Sequence, residues 1–212
     1  MHKIIRGSVL LIGALSLATI AAGQQAKPKS GLTEKPHIGA IDLAVTYSLE
    51  RAKTTPSNCN CFWLNGGSAD AAVTLYRGLG IAANFTGEHA SNVAPGVNFG
   101  KLSYIAGPRY TYNTSRFTDR FTKKRGTQIF GEWLFGGVHG FDSVFPGATS
   151  VTSTANAFST QLGGGIDVAI MKGFSVRALE LDYIHTSLPN NGSNSQNDFR
   201  LAFGLSYRMG RH

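Results

Sequence analysis

The chain has 212 residues, of which 42% are hydrophobic and only 15% are charged, and its formal net charge is +8. This length suits one domain of ordinary size. Beyond the first two dozen residues no apolar run approaches the ~18 residues that a membrane-spanning helix needs, so a helical membrane protein is excluded. The 26 glycines and 13 phenylalanines are typical of β-barrels, which use small residues where strands crowd and aromatic residues at the membrane interfaces.

The first 23 residues predict a secretory signal peptide. Lys3 and Arg6 form a basic start, and an apolar run from Val9 to Ala22 follows. The small residues that end this run fit a cleavage site. An anchor helix is the alternative, and it is disfavoured because the run is shorter than the ~20 residues of a span.

Residues 24–36 are polar and carry lysines and prolines, which predicts a flexible periplasmic leader. Residues 37–212 then form the folded domain. Because an exported chain rarely meets nucleic acid, the positive charge favours anionic lipid or lipopolysaccharide as its partner.

Eight segments of this domain alternate apolar and polar residues with the period of a β-strand. They cover about residues 38–50, 68–77, 79–88, 99–112, 127–139, 156–170, 174–187 and 198–210. In the last segment one parity is wholly apolar, whereas the other mixes arginine with glycine, alanine and serine. Two segments are irregular. Pro108 interrupts the fourth and costs a ladder hydrogen bond unless it lies at a bulge. In the seventh, Arg177 and Glu180 differ in parity, which predicts a β-bulge near Ala178.

Short and long connections alternate along these segments. The short ones lie near Gly78 and Lys172-Gly173. The long ones begin near Arg51, His89, Gly140 and Leu188. The pattern predicts an all-β fold, an eight-stranded antiparallel up-and-down transmembrane β-barrel with both ends on the periplasmic side. The basic stretch 113–126 is long for a periplasmic turn, and we expect it at the inner rim near lipid headgroups or cell wall. A soluble lipocalin-like barrel, with its apolar face inward, is the competing fold.

The region from Leu162 to Gly210 carries a family resemblance. It reads Gly-Gly-Gly-Ile-Asp-Val, a turn, Phe-Ser-Val-Arg-Ala-Leu-Glu-Leu-Asp-Tyr-Ile-His-Thr, a polar loop, and Phe-Arg-Leu-Ala-Phe-Gly-Leu-Ser-Tyr-Arg-Met-Gly. This resembles the small OmpA/OmpX-like outer-membrane β-barrels. The resemblance implies an integral protein of the bacterial outer membrane, a monomer inserted by the barrel-assembly machinery, whose outer loops are open to an extracellular ligand. Members of that family commonly end on an aromatic residue, whereas this chain ends Arg-Met-Gly-Arg-His.

Charged residues on the inward parity are predicted to line the barrel interior. They are Asp42, Asp70, Arg109, Glu132, Asp167, Arg177, Glu180, Asp182, Arg200 and Arg208. A barrel of eight strands has little room for water, so buried charges must pair. The sequence therefore favours an Arg–carboxylate network that fills the interior over a narrow ion path. None of these residues implies a cofactor.

His185 and Ser187 are two residues apart near the outer end of the seventh segment, so both would project from one face. A histidine in this position can act as a base toward the serine. The pair resembles the His-x-Ser of the lipid A deacylases, which are also outer-membrane barrels. That family has Asn after the serine, whereas this chain has Leu188, and only Asp198 is available to orient the imidazole. An interfacial histidine beside a loop serine is the favoured interpretation.

Cys59 and Cys61 lie in the first long connection. A local disulfide or two thiols is favoured over a metal site. A metal ion would need further ligands nearby, and His89 in the next loop is the only hint of one. The glycine runs do not open helical patterns, so a dinucleotide site is not predicted.

The sequence as a whole favours a structural or surface-interaction role, with a narrow passive pore and a lipid A-modifying enzyme as alternatives.

Overall fold

The structure is a computed structural model that describes residues 39–53, 61–114, 126–146, 150–190 and 194–210. Eight long strands form one closed antiparallel barrel. They are β1 (Ala40–Lys53), β2 (Cys61–Tyr76), β3 (Leu79–Ala94), β4 (Val97–Asn113), β5 (Thr127–Phe141), β8 (Ala155–Met171), β9 (Phe174–Thr186) and β10 (Gln196–Gly210). The short strands β6 (Phe145–Pro146) and β7 (Val151–Thr152) pair with each other in the connection between β5 and β8. Within the described ranges, no helix is long and apolar enough to cross a membrane.

The barrel closes where the last strand meets the first. β10 pairs with β1 from Ala40 opposite Gly210 to Arg51 opposite Phe199. This pairing leaves the sheet without an open edge. The predicted eight-stranded up-and-down barrel is therefore confirmed.

The two faces of the strands are also those that the alternation predicts. In β1, Asp42, Thr46 and Ser48 are buried inside the barrel, whereas Val45 and Tyr47 are 69% and 46% exposed on its outer surface. The apolar face points outward on the other long strands too, so the lipocalin-like alternative is wrong. An apolar exterior around a polar interior is the arrangement of a membrane barrel.

Several strands run further than the sequence analysis predicted. β1 continues to Lys53 and β2 begins at Cys61, so the first connection is much shorter than the predicted loop from Arg51 to Gly67. The predicted long loop from His89 is also wrong, since β3 and β4 meet at a turn of two residues, Pro95-Gly96. The inward positions of these extensions are occupied by Ala52, Leu64 and Ala90, which are buried and pack together.

The register between neighbouring strands explains the two irregular positions that the sequence analysis noted, Ala178 and Pro108. Ile166 pairs with Leu179 and Asp167 with Arg177, which leaves Ala178 as an extra residue and confirms the predicted bulge. Pro108 needs no bulge. It lies opposite Ile81 in β3, and the pairing of β4 with β5 keeps its register on both sides of the proline. The predicted turns at Gly78 and Gly173 are confirmed, and both glycines have positive φ, at 90° and 81°.

The bulge makes a testable difference between two one-residue deletions. Removing Ala178 would restore a regular alternation in β9 and keep Arg177 and Glu180 facing inward, so we expect this variant to fold. Removing Ala83 from the regular part of β3 would turn half of that strand inside out, so we expect it not to fold. Heat-dependent gel migration after refolding into lipid vesicles measures both. Equal failure of the two deletions would contradict this account of the bulge.

The barrel has two distinct ends. We call the end with Ala40, Gly210 and the turns at 77–78 and 172–173 the terminal end. At the opposite end β1 stops at Lys53, the turn 95–96 joins β3 to β4, and the short strands β6 and β7 lie between β5 and β8; we call this the loop end.

Candidate functional site

The interior of the barrel holds most of the charge of the described residues. Of the acidic residues in those ranges, all but Asp142 are buried. Lys101, Arg109, Arg177 and Arg200 are buried with them. Buried charges of this kind are stable only when they are paired and hydrogen-bonded.

Arg109 joins two carboxylates in the middle of the barrel. Its Nη1 and Nη2 donate to the two oxygens of Asp70 at 2.7 and 2.8 Å. Its Nε donates to Oε2 of Glu132 at 2.7 Å. The contact with Asp70 is bidentate, the geometry that suits a planar guanidinium.

Arg177 is the second centre of this network. It donates from Nε and Nη2 to the two oxygens of Asp167 at 2.9 and 3.2 Å, and from Nη1 to Glu180 at 2.9 Å. The same Nη1 lies 3.6 Å from Asp70, which links the two centres. The ring of Phe130 is 4.4 Å from the guanidinium carbon of Arg109 and 4.3 Å from that of Arg177. Such cation–π contacts stabilise the guanidinium groups where water is excluded.

Arg200 extends the network toward the loop end. Its Nε donates to Asp182 at 3.0 Å, its Nη1 to the hydroxyl of Thr86 at 2.8 Å, and its Nη2 to Gln161 at 3.0 Å. Thr86 is on β3 and Asp182 on β9, so one side chain spans the barrel. At the terminal end, Arg208 makes a separate bidentate pair with Asp42, at 2.6 and 2.7 Å. The Arg–carboxylate pairing predicted for the interior is therefore present, and each residue of the predicted set takes part either in the central network or in this separate pair.

A further buried cluster escaped the sequence analysis. Lys101 forms ion pairs with Glu50 and, at 3.3 Å, with Glu88, and Ser48 donates to Glu88 at 2.8 Å. Asp198 is buried beside them. In the sequence these residues alternate in step with the inward-facing residues of the same strands. That alternation could have identified them as interior residues. They lie at or near the ends of the predicted strands and were not counted among the interior charges.

Three carboxylates in the interior also have a spacing that a metal ion could use. Ligand oxygens of Glu132, Glu180 and Asp182 lie within 4.8 Å of one another. Arg109, Arg177 and Arg200 already contact these carboxylates. The guanidinium groups thus supply the positive charge that a cation would otherwise bring.

The loop end of the barrel holds a cavity of about 610 Å³, which we call the loop-end cavity. Its walls are mostly apolar and include Phe62, Phe99, Phe145 and Leu188. Its floor includes Lys101 and Asp198 from the buried cluster described above. Apolar pockets with a few convergent polar groups are the usual form of ligand sites, and barrel mouths are a frequent location.

His185 and Ser187 each make a contact with a neighbouring strand. Nδ1 of His185 lies 2.8 Å from Oδ1 of Asn197, an oxygen that also accepts a hydrogen bond from the hydroxyl of Tyr183 at 2.6 Å. The backbone N–H of Ser187 donates to the carbonyl of Phe158 at 3.0 Å. The imidazole is therefore oriented by an amide, and Asp198 belongs to the cluster around Lys101.

Of the two cysteines, Cys61 begins β2, whereas Cys59 lies outside the described residues, as does most of the basic stretch 113–126.

The outer surface carries the apolar band that a membrane requires. Large apolar and aromatic side chains are exposed on every long strand, including Trp63, Tyr104, Tyr112, Trp133 and Phe203. A soluble monomer rarely exposes so much contiguous apolar surface.

Comparison with solved structures gives the same fold. The chain superposes on neisserial surface protein A with a TM-score of 0.53 and 13% identity, over 80% of this chain and 98% of that one. Ail of Yersinia pestis matches with a TM-score of 0.47 and 13% identity, over 82% and 100% of the two chains. The N-terminal barrel of Pseudomonas aeruginosa OprF matches at 0.41 and 12%, over 79% and 97%. Neither a protein-family model nor a curated protein sequence matches the chain.

The closed sheet, the exposed apolar band and the likeness to neisserial surface protein A define the class. The chain is an integral β-barrel with the fold of the small eight-stranded outer-membrane proteins. This is the OmpA/OmpX-like architecture that the sequence resembles.

Proposed function

We propose that the protein is a structural and surface-interaction component of the bacterial outer membrane rather than a pore or an enzyme. The observation that carries the proposal is the filled interior. Arg177, Glu180, Gln161 and Leu134 are fully buried across the middle of the barrel, where an open channel would have to pass. The working surface is then the loop end, together with the lipid-facing band.

The partners follow from this arrangement. The apolar band contacts the acyl chains of outer-membrane lipids, and the basic exterior favours anionic headgroups and lipopolysaccharide. The barrel-assembly machinery inserts the chain after its signal peptide, residues 1–23, is removed, and residues 24–36 stay in the periplasm as a leader. The loop end then faces the outside of the cell, where it is free to bind an extracellular ligand. The protein acts as a monomer.

The test is a conductance measurement on the refolded protein in a planar lipid bilayer. We expect no discrete channel openings, because paired side chains fill the barrel. Heat-dependent gel migration of the same sample checks that the barrel has folded. Stepwise openings from folded protein would overturn the structural role in favour of a narrow pore.

The enzymatic alternative needs its own measurement. Expression in a lipid A-producing host should leave the mass of lipid A unchanged, since His185 is bound to Asn197. A loss of one acyl chain that disappears with Ser187→Ala would overturn the proposal and establish a deacylase.

A further inference from the structure

The loop-end cavity is a built pocket with an apolar wall. Phe62 and Phe99 contact each other edge to face on one side, and Phe99 also contacts Phe145 from the short strand β6. Leu188 and Val151 complete the wall. The volume of about 610 Å³ falls in the range of roughly 300–1,000 Å³ that is usual for small-molecule sites.

Some of the polar groups at the floor are satisfied and others are not. The hydroxyl of Thr186 donates to Gln196, and the amide of Gln196 donates to the carbonyl of Leu188. Lys101 is held by Glu50 and Glu88. Asp198 lines the cavity and is only 5% exposed, and its Oδ1 has no hydrogen-bond donor among the described residues. A buried carboxylate oxygen without a donor is costly, so the floor is short of a donor.

The floor is also short of positive charge. Glu50, Glu88 and Asp198 bring three carboxylates to one ammonium group, that of Lys101. Lys53 also lines the cavity, but its side chain is exposed. The next buried cation along the barrel is Arg200, whose hydrogen bonds go to Asp182, Thr86 and Gln161. Oε2 of Glu50 lacks a donor as well. Buried negative charge of this kind calls for a counter-cation or for protons.

We propose that the loop-end cavity binds a small amphiphile with an apolar body and a primary ammonium head. The head donates a hydrogen bond to Oδ1 of Asp198, which supplies the missing donor, and its charge offsets the nearby carboxylates of Glu50 and Glu88. The body packs against Phe62, Phe99 and Phe145. This site goes beyond the structural role proposed above, and it does not depend on which way the barrel faces in the membrane.

Other ligand chemistries fit the cavity less well. An anionic amphiphile would place its charge against the carboxylates of the floor. A bare divalent ion would make no favourable contact with the apolar walls, and it prefers several oxygen ligands in a regular shell. A neutral alcohol can supply a donor but leaves the charge of the floor unbalanced.

The test uses the full-length mature protein in phosphatidylcholine nanodiscs and three water-soluble probes of equal length, hexylammonium, hexanol and hexanoate. Each is titrated at neutral pH while the backbone amide signals of Thr186 and Leu188 are followed by NMR. We expect saturable shifts with hexylammonium and at least about tenfold weaker binding of hexanol, because the alcohol can donate a hydrogen bond but leaves the negative charge of the floor unbalanced. Hexanoate should not bind.

Substitutions connect the binding to the floor. Asp198→Asn should weaken hexylammonium about tenfold, and Glu50→Gln provides a second variant if the first folds poorly. Asp142→Asn is the matched control, since Asp142 is exposed at the same end, does not line the cavity, and has a φ of 56° that asparagine tolerates. The control should bind hexylammonium as the wild type does.

Two outcomes would overturn the proposal. Equal binding of hexanol and hexylammonium would mean that protons, shared between the carboxyl groups of Glu50 and Asp198, already neutralise the floor. Equal weakening by Asp142→Asn and Asp198→Asn would mean that the ammonium group responds only to the overall charge of the loop end.

Discussion

Replacing Arg177 by methionine is expected to lower the free energy of unfolding by about 3–5 kcal/mol, the usual effect of removing one partner from a buried ion pair. Arg177 is 1% exposed and its hydrogen bonds go to Asp167 and Glu180. Methionine fills most of the volume but carries no charge, so both carboxylates would lose their donor. The contact between this guanidinium and Phe130 would also be lost.

Urea unfolding of the protein in lipid vesicles measures this effect, with tryptophan fluorescence as the signal. Arg208→Met is the matched control, because its side chain is 10% exposed and lies near the terminal end. We expect that control to cost less than Arg177→Met, because its pair with Asp42 keeps some contact with solvent and holds one carboxylate instead of two. The double variant Arg177→Met with Asp167→Asn should recover part of the loss, since it removes one orphaned charge. Equal losses for Arg177→Met and Arg208→Met would show that the central network does not stabilise the barrel.

Replacing Gly204 by alanine is expected to be the second most damaging change, with a loss of about 1–3 kcal/mol from overpacking. Gly204 lies opposite Thr46 where β10 closes the barrel against β1. An added Cβ would meet the carbonyl oxygen of Val45 at 2.1 Å and the Cα of Thr46 at 2.6 Å. Both contacts are with backbone atoms, so the two strands must separate to make room.

Gly131→Ala is the control for this variant. The nearest atom to an added Cβ there is the carbonyl oxygen of Gly163 at 3.9 Å, an ordinary contact. Refolding yield and urea midpoint should therefore fall for Gly204→Ala and stay near the wild-type values for Gly131→Ala. If both alanine variants behaved like the wild type, the close approach of β1 and β10 would not be needed for closure.

The faces of the strands could be predicted from the sequence because a β-strand has a period of two. Every second residue must share an environment, so the outward row from Phe199 to Met209 and the inward position of Arg109 follow from parity alone. Even the bulge at Ala178 was predictable, since Arg177 and Glu180 cannot both face inward without an extra residue.

The ends of the strands were predicted less well. Glu50, Glu88 and Lys101 lie at or near the ends of the predicted strands and were not assigned to the interior, although their parity is the inward one. Inside this barrel they continue the alternation, since the interior is itself polar and offers them partners. The cluster at the floor of the loop-end cavity was missed for this reason.

By itself, the sequence determined the number of strands, the face on which each side chain lies and the excess of acidic groups inside. The tertiary structure alone decided which charges pair. Arg200 reaches Thr86 over 114 positions of sequence, and Asp198 meets Lys101 and Glu50 rather than His185. Such contacts depend on the register between neighbouring strands and on the distance across the closed barrel. Neither quantity can be obtained from the alternation within one strand. A period of two shows which face a side chain is on, but it does not show which residue of another strand lies opposite.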